Sequence, residues 1–299
     1  MHKKQVFLPL HVPQRKEPYT VPFLEVKGKK QGKIITFVAG VHGDEVNSQK
    51  MIFDLFHKLS PDALSGTARF FPIFNLDAYE KKSRLFSDGI DINHIMNGRG
   101  EAKMPSTQYV NALLPLILEE NMHIDLLFDL HSDRAELRNA CFAYADMSSP
   151  LIKEYAEQLT VDAIIDHKPS ARTLRGVCAQ KGIPCITIET GEALTYDEQL
   201  TSQVFIGLYN SIVQKKQKTK KSPLLFSTSV WQKATEEGYT IMLVKPRDNI
   251  KKGQALAICY DMLGNTKCTY TAEFDGYVLV TAKNPVLQIG DNMVHIAKK

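Results

Sequence analysis

A chain of 299 residues with 43% hydrophobic content suffices for one large and one small domain, each with its own core. The formal charge of +4 is too small to mark a nucleic-acid binder, and no apolar run is long enough to span a membrane. Five cysteines without a Cys-x-x-Cys pair, and an N-terminal apolar stretch (Val6 to Leu10) too short for a signal sequence, point to reduced thiols in a cytoplasmic protein.

In chain order, Ile34 to Ala39 is the first apolar, β-branched run and reads as a buried strand. Gly40 and Gly43 break the pattern and let the backbone turn. Met51, Ile52, Leu55, Phe56 and Leu59 then recur at helical spacing, so a helix is expected over 45–59, with Asp44 or Glu45 near its start. Further strands are expected over 68–74, 124–130, 140–145, 162–166 and 184–189, and helices over 106–121, 149–159 and 197–214. The alternation predicts an α/β fold with a mixed, largely parallel sheet and helices on both faces, occupying residues 1–214. Lys215 to Pro223 is a basic linker without interleaved aromatic residues, and a solvated connection accounts for it better than a nucleic-acid or lipid contact. Short β-type segments with turns fill 224–299 and predict a small, barrel-like β domain.

Three separated stretches carry the chemistry. His42-Gly-Asp-Glu45 follows the first strand, Asp129-Leu-His131 closes another, and Glu189 stands at the end of Pro184 to Ile188. In an open α/β sheet, ligands gather beyond the carboxyl ends of the strands. Two histidines and one carboxylate, His42, Glu45 and His131, leave a fourth position open, as in catalytic rather than structural zinc sites, and imply one Zn²⁺ per chain. Each stretch alone has a plainer reading, as a helix-capping acid or a hydrogen-bonded histidine. Glu189 is the spare carboxylate that can move a proton. Glu192 is its rival, and it is expected to lie in the following loop.

Asn75-x-x-Ala78, Ser83-Arg84 and Asp91-Ile-Asn93 stand between the first and second stretches. With His-Gly-Asp-Glu, Asp-Leu-His and Glu-Thr-Gly in this order, the chain resembles the succinylglutamate desuccinylase and aspartoacylase family, relatives of the zinc carboxypeptidases. The resemblance runs from about residue 30 to the C-terminus. It implies that His42, Glu45 and His131 are zinc ligands and that Glu189 is the general base. It also implies that Arg84 polarises the scissile carbonyl, that Asp91 orients His42, and that Asn93 holds a substrate carboxylate. Where the family has an arginine after that asparagine, this chain has His94, which lacks a guanidinium fork. Arg99, Arg172 and Arg175 are possible substitutes, Arg175 being the best placed. The C-terminal segment is similar to the family's second domain and also to biotinyl and lipoyl carriers, but Asp275-Gly276 holds no carrier lysine.

The expected function is zinc-dependent hydrolysis of an amide, deacylating an N-acyl amino acid or related small amine. A metallocarboxypeptidase acting on peptides, including those of cell walls, and a silent binding module of the same fold are the alternatives. A small-molecule N-acyl substrate is the expected partner, with neither nucleic acid nor membrane, and self-association into a homo-oligomer is left open.

Overall fold

The computed structural model describes residues 2–13, 15–118, 123–213 and 222–299. Its first ten strands are β1 (Lys3–Leu10), β2 (Tyr19–Lys27), β3 (Lys30–Ala39), β4 (Ser65–Phe71), β5 (Leu126–Asp133), β6 (Leu137–Asn139), β7 (Phe142–Ala145), β8 (Ala163–Asp166), β9 (Cys185–Glu192) and β10 (Leu224–Phe226). All but β6 form one nine-stranded sheet in the order β1-β2-β4-β3-β5-β9-β7-β8-β10. Strands β4, β3, β5 and β9 run parallel, as do β7, β8 and β10, while the β1–β2, β2–β4 and β7–β9 pairings are antiparallel.

The helices are α1 (Val46–Lys58), α2 (Leu76–Glu80), α3 (Pro105–Leu118), α4 (Pro150–Ala156), α5 (Leu174–Gln180) and α6 (Glu198–Ile212). On one face of the sheet, Met51, Leu55, Ile152, Val204 and Leu208 of α1, α4 and α6 pack against Phe37, Phe70 and Phe128. On the other, Tyr109, Leu113 and Ile117 of α3 and Leu174 and Val177 of α5 meet Val38, Phe71 and Leu127. The central strands are apolar on both sides because both faces are covered.

Eight more strands follow: β11 (Ser229–Lys233), β12 (Gly238–Met242), β13 (Asn249–Ile250), β14 (Ala255–Tyr260), β15 (Thr266–Thr271), β16 (Gly276–Ala282), β17 (Val286–Leu287) and β18 (Asn292–Lys298). They make two antiparallel sheets, β11-β18-β16-β13 and β15-β14-β12-β17, around Val244, Leu256, Val278, Met293 and Ile296. Strand β6 pairs with β16 and so joins this second assembly, whereas β10 pairs with β8 of the main sheet. Leu137, Phe142, Ile165, Tyr277 and Leu279 close the seam between them. Within it His295 stacks on Trp231 with ring centroids 4.6 Å apart, and its Nε2 meets Ser229 Oγ at 2.9 Å.

The expected mixed sheet with helices on both faces, and the antiparallel C-terminal part, are present. Details differ for local reasons. The strand expected over 68–74 ends at Phe71, because Phe74 and Asn75 donate their backbone N–H groups to Ala39 and Gly40. The strand expected over 140–145 is β7, starting at Phe142, and it is preceded by a short strand that was not expected, β6, which serves the other sheet. Most of the basic run over 215–223, and the ends of the helices expected over 106–121 and 197–214, lie outside the described residues. Among the described residues no helix is long and apolar enough to cross a membrane.

Candidate metal and active site

The turn after β3 is built for close approach. Gly40 has φ +67°, a left-handed conformation suited to glycine. Gly43 lies against the backbone of α2, where a Cβ would come within 2.1 Å of the Ala78 carbonyl carbon. Asn75 holds the turn from the other side: its Oδ1 caps α2 by accepting from Ala78 N at 3.1 Å, while Nδ2 donates to Val41 O at 3.2 Å. Glu45 then occupies the N-cap position of α1 but makes no side-chain cap bond. Its carboxylate is turned into the site instead.

That carboxylate is the hub. Oε1 lies 2.5 Å from His42 Nδ1 and 3.2 Å from Arg84 Nη1. Oε2 lies 3.0 Å from His131 Nδ1 and accepts from Ser132 N at 3.1 Å. Ligand atoms of His42, Glu45 and His131, all buried, fall within 4.8 Å of one another, so the three residues could hold a metal ion. The far ring nitrogens face carboxylates as well: His42 Nε2 is 3.0 Å from Asp91 Oδ1, and His131 Nε2 is 2.9 Å from Asp129 Oδ1. The latter contact is close but off the direction of the ring N–H. Metal-binding histidines are commonly backed by a carboxylate on the second nitrogen, which fixes the tautomer and leaves the first nitrogen to the metal. This donor set fits zinc.

Charge here is concentrated and buried. Burial alone would lower the histidine pKa values, but the Glu45 and Asp91 carboxylates leave His42 raised, and Asp129 and Glu45 leave His131 raised well above its ordinary value. Against the effect of burial, the two histidines hold Glu45 far below the usual carboxylate range. Asp91 is likewise depressed, by His42 and Arg84. Glu189 moves the other way. Burial raises it, with Asp133 and Glu45 adding repulsion that His131 and Arg84 only partly offset. Carboxyl groups driven apart in this fashion mark sites where acid and base roles divide.

The structure brings most of the expected residues together. Glu189 stands opposite His131 in the parallel β5–β9 ladder. Arg84 bridges Glu45 and Asp91, its Nη2 lying 3.1 Å from Asp91 Oδ2. Asp91 begins a short 3₁₀ turn, Ile92–His94, and Asn93 Oδ1 accepts from Leu174 N at 3.3 Å, tying that turn to α5. His94 is exposed.

Arg175 is buried and committed elsewhere, with Nη1 donating to His167 O at 2.6 Å and Nη2 lying 3.0 Å from His167 Nδ1. Glu192 is not in a loop, as expected, but is the last residue of β9, because the strand runs past Gly191. It forms an ion pair with Lys283 at 2.6 Å. Two residues absent from the expected set stand on the same face: Thr187, opposite Asp129, and Tyr144, opposite Thr187. Burial, reinforced by Glu189, raises the Tyr144 pKa. Only the two-residue period of β9 hinted at Thr187; nothing in the sequence set Tyr144 beside it.

Residues 31–212 match the model of the succinylglutamate desuccinylase/aspartoacylase catalytic domain. The chain belongs to this family. Its members are hydrolases that cleave amide bonds. Solved structures extend the likeness in fold over the whole chain. The product-bound ectoine utilization protein EutE (DoeB) from Ruegeria pomeroyi is 18% identical with a TM-score of 0.85, over 99% of this chain and 95% of that one. A succinylglutamate desuccinylase/aspartoacylase from Rhodobacter sphaeroides is 17% identical with a TM-score of 0.83, over 99% and 96%. A family protein from Shewanella amazonensis is 14% identical with a TM-score of 0.80, over 100% and 99%. No curated protein matches the sequence.

Proposed function

We propose that the chain is a zinc-dependent amidohydrolase that removes the acyl group from an N-acyl amino acid or a related small amine. His42, Glu45 and His131 would hold the zinc. Bound there, zinc supplies a Lewis acid for a carbonyl oxygen and makes water acidic enough to attack near neutral pH. The observation that carries this reading is the shared Glu45 carboxylate with one ring nitrogen of each histidine beside it and the other ring nitrogens backed by Asp91 and Asp129.

The remaining work falls to the chain's own side chains. Glu189, with its raised pKa, takes the proton from the attacking water and gives it to the leaving nitrogen. Arg84, oriented by Glu45 and Asp91, lends positive charge to the carbonyl oxygen as it turns negative. Asn93 and His94 meet the polar end of the substrate. Since Arg175 is engaged by His167 and His94 has no fork, that end is better an amide, hydroxyl or amine than a carboxylate.

Residues 224–299 would form a lobe at the mouth of the site, joined to 1–214 through the basic linker 215–223. The Lys283–Glu192 pair ties this lobe to the strand bearing Glu189, which favours a small substrate over a peptide needing an open cleft.

The test is a panel of N-acyl amino acids, their carboxamides and short peptides, incubated with zinc-loaded protein and followed by release of free amine. Turnover of the small amides, lost in Glu189→Gln, supports the reading. Turnover of peptides alone would give it to a carboxypeptidase, and none at all to a binding module.

A further inference from the structure

The two histidines of the site are held by different means. His42 faces Asp91, whose carboxylate is itself pinned by Arg84 at 3.1 Å and by the backbone N–H of Asn93 at 3.0 Å. His131 faces Asp129, and the other oxygen of that carboxylate, Oδ2, accepts a hydrogen bond from the Thr187 hydroxyl at 3.2 Å. Thr187 is the direct partner of Asp129 in the β5–β9 ladder, one side-chain step before the His131–Glu189 pair. Thr187, Asp129 and His131 are 8%, 1% and 3% exposed, so water does little to restrain the carboxylate.

We propose that Thr187 is a positioning residue for the metal site, acting through Asp129 on His131. The proposal rests on the reading that His42, Glu45 and His131 hold zinc. A carboxylate turns about its last bond. The Thr187 hydroxyl fixes that turn by engaging Oδ2, which sets Oδ1 beside His131 Nε2 and favours the tautomer protonated on Nε2. Nδ1 is then free to bind metal next to Glu45. The off-axis contact between Asp129 and His131 makes this restraint matter, because a further turn of the carboxylate would remove the contact altogether. Arg175 acts on Asp129 only at longer range, since its Nη atoms engage His167. A valine at position 187 would keep the β-branched shape suited to a strand while lacking the donor.

The experiment measures Zn²⁺ affinity of the full chain by competition with a chromophoric chelator, for wild type, Thr187→Val, Thr187→Ser, Asp129→Asn and the Thr187→Val/Asp129→Asn double variant. Loss of a residue that orients a metal ligand typically weakens metal binding about 10- to 100-fold. Thr187→Val should weaken Zn²⁺ binding at least about tenfold, Thr187→Ser should restore it to within about threefold, and the double variant should be little worse than Asp129→Asn.

Equal affinity of wild type and Thr187→Val, or additive losses in the double variant, would overturn the proposal. So would a Thr187→Ser variant as weak as Thr187→Val, because packing rather than the hydroxyl would then be responsible. If Thr187→Val fails to fold, the comparison of Thr187→Ser with wild type and Asp129→Asn decides: a Ser variant as weak as Asp129→Asn refutes the role. Zinc binding by wild type that His131→Ala abolishes but Thr187→Val leaves intact would sink this proposal alone. Absence of zinc binding by wild type would sink the metal reading with it.

Discussion

Replacing His295 with glutamine should remove much of the acid sensitivity of the C-terminal sheets. The imidazole is 3% exposed and stacked on Trp231, and burial pushes its pKa down to about 3 from an ordinary 6.5. A depressed histidine pKa means that the unfolded chain takes up the proton first as pH falls. The corresponding stability is therefore present above about pH 6.5 and is lost progressively towards pH 3. At about 1.36 kcal/mol per unit, a gap of about 3.5 units makes the full loss about 5 kcal/mol, and the part lost between pH 7.5 and 4.5 about 3 kcal/mol. Whole-protein stabilities are typically about 5–15 kcal/mol, so this is a measurable share.

Urea unfolding followed by the fluorescence of Trp231, the single tryptophan, reports on the seam that contains His295. His295→Gln does not titrate but can still face Ser229. It should lose about 3 kcal/mol less than wild type between the two pH values, even if it is somewhat weaker at pH 7.5. Losses that agree within about 1 kcal/mol would show that His295 is charged in the folded chain without penalty, and the argument from burial would fail.

Five further outcomes are expected. Elemental analysis should find one zinc per wild-type chain and little in His131→Ala; equal contents would remove His131 from the site. Glu189→Gln should retain metal and fold while kcat falls about 10²–10⁴-fold, and a loss under tenfold would deny it the proton-transfer role. Glu192→Gln, which breaks the ion pair with Lys283, should change kcat by less than tenfold. Gly43→Ala would drive a methyl group into the α2 backbone and should lower stability by about 1–3 kcal/mol or more together with metal affinity, read by urea unfolding and chelator competition. Carboxamides should match or exceed the free N-acetyl amino acids in kcat/KM; a strong preference for the acids, abolished by Arg175→Ala, would show that Arg175 leaves His167 to clamp the substrate.

Much of the site was legible because its ligands sit at strand ends, where apolar runs stop and polar residues begin. His42, Glu45, His131 and Glu189 all fall at such breaks. What was hidden depends on register and on distant partners. Thr187 and Asp129 are 58 residues apart and meet only because β5 and β9 pair in one particular alignment. Arg175 looked available, since nothing in its own segment announced the backbone and ring of His167. Glu192 lies past the end of the apolar run Pro184 to Ile188, which suggests a loop, yet β9 continues through Gly191 at φ +68° to include it. The N-terminal β1–β2 hairpin escaped because its strands are interrupted by Pro9 and Pro22 and carry charges near their outer ends, at Lys3, Lys4, Glu25 and Lys27.

The trade of strands between the two assemblies has a practical consequence. A chain cut at residue 223 would leave β8 as a bare edge, with the backbone groups of Ala163–Ile165 that β10 normally engages open to any passing strand. The complementary fragment would lack β6 and would expose the same kind of unpaired row along Val280–Ala282 of β16. Each half thus covers an adhesive edge of the other. Fragments made at the basic run should be aggregation-prone when expressed separately and better behaved when expressed together.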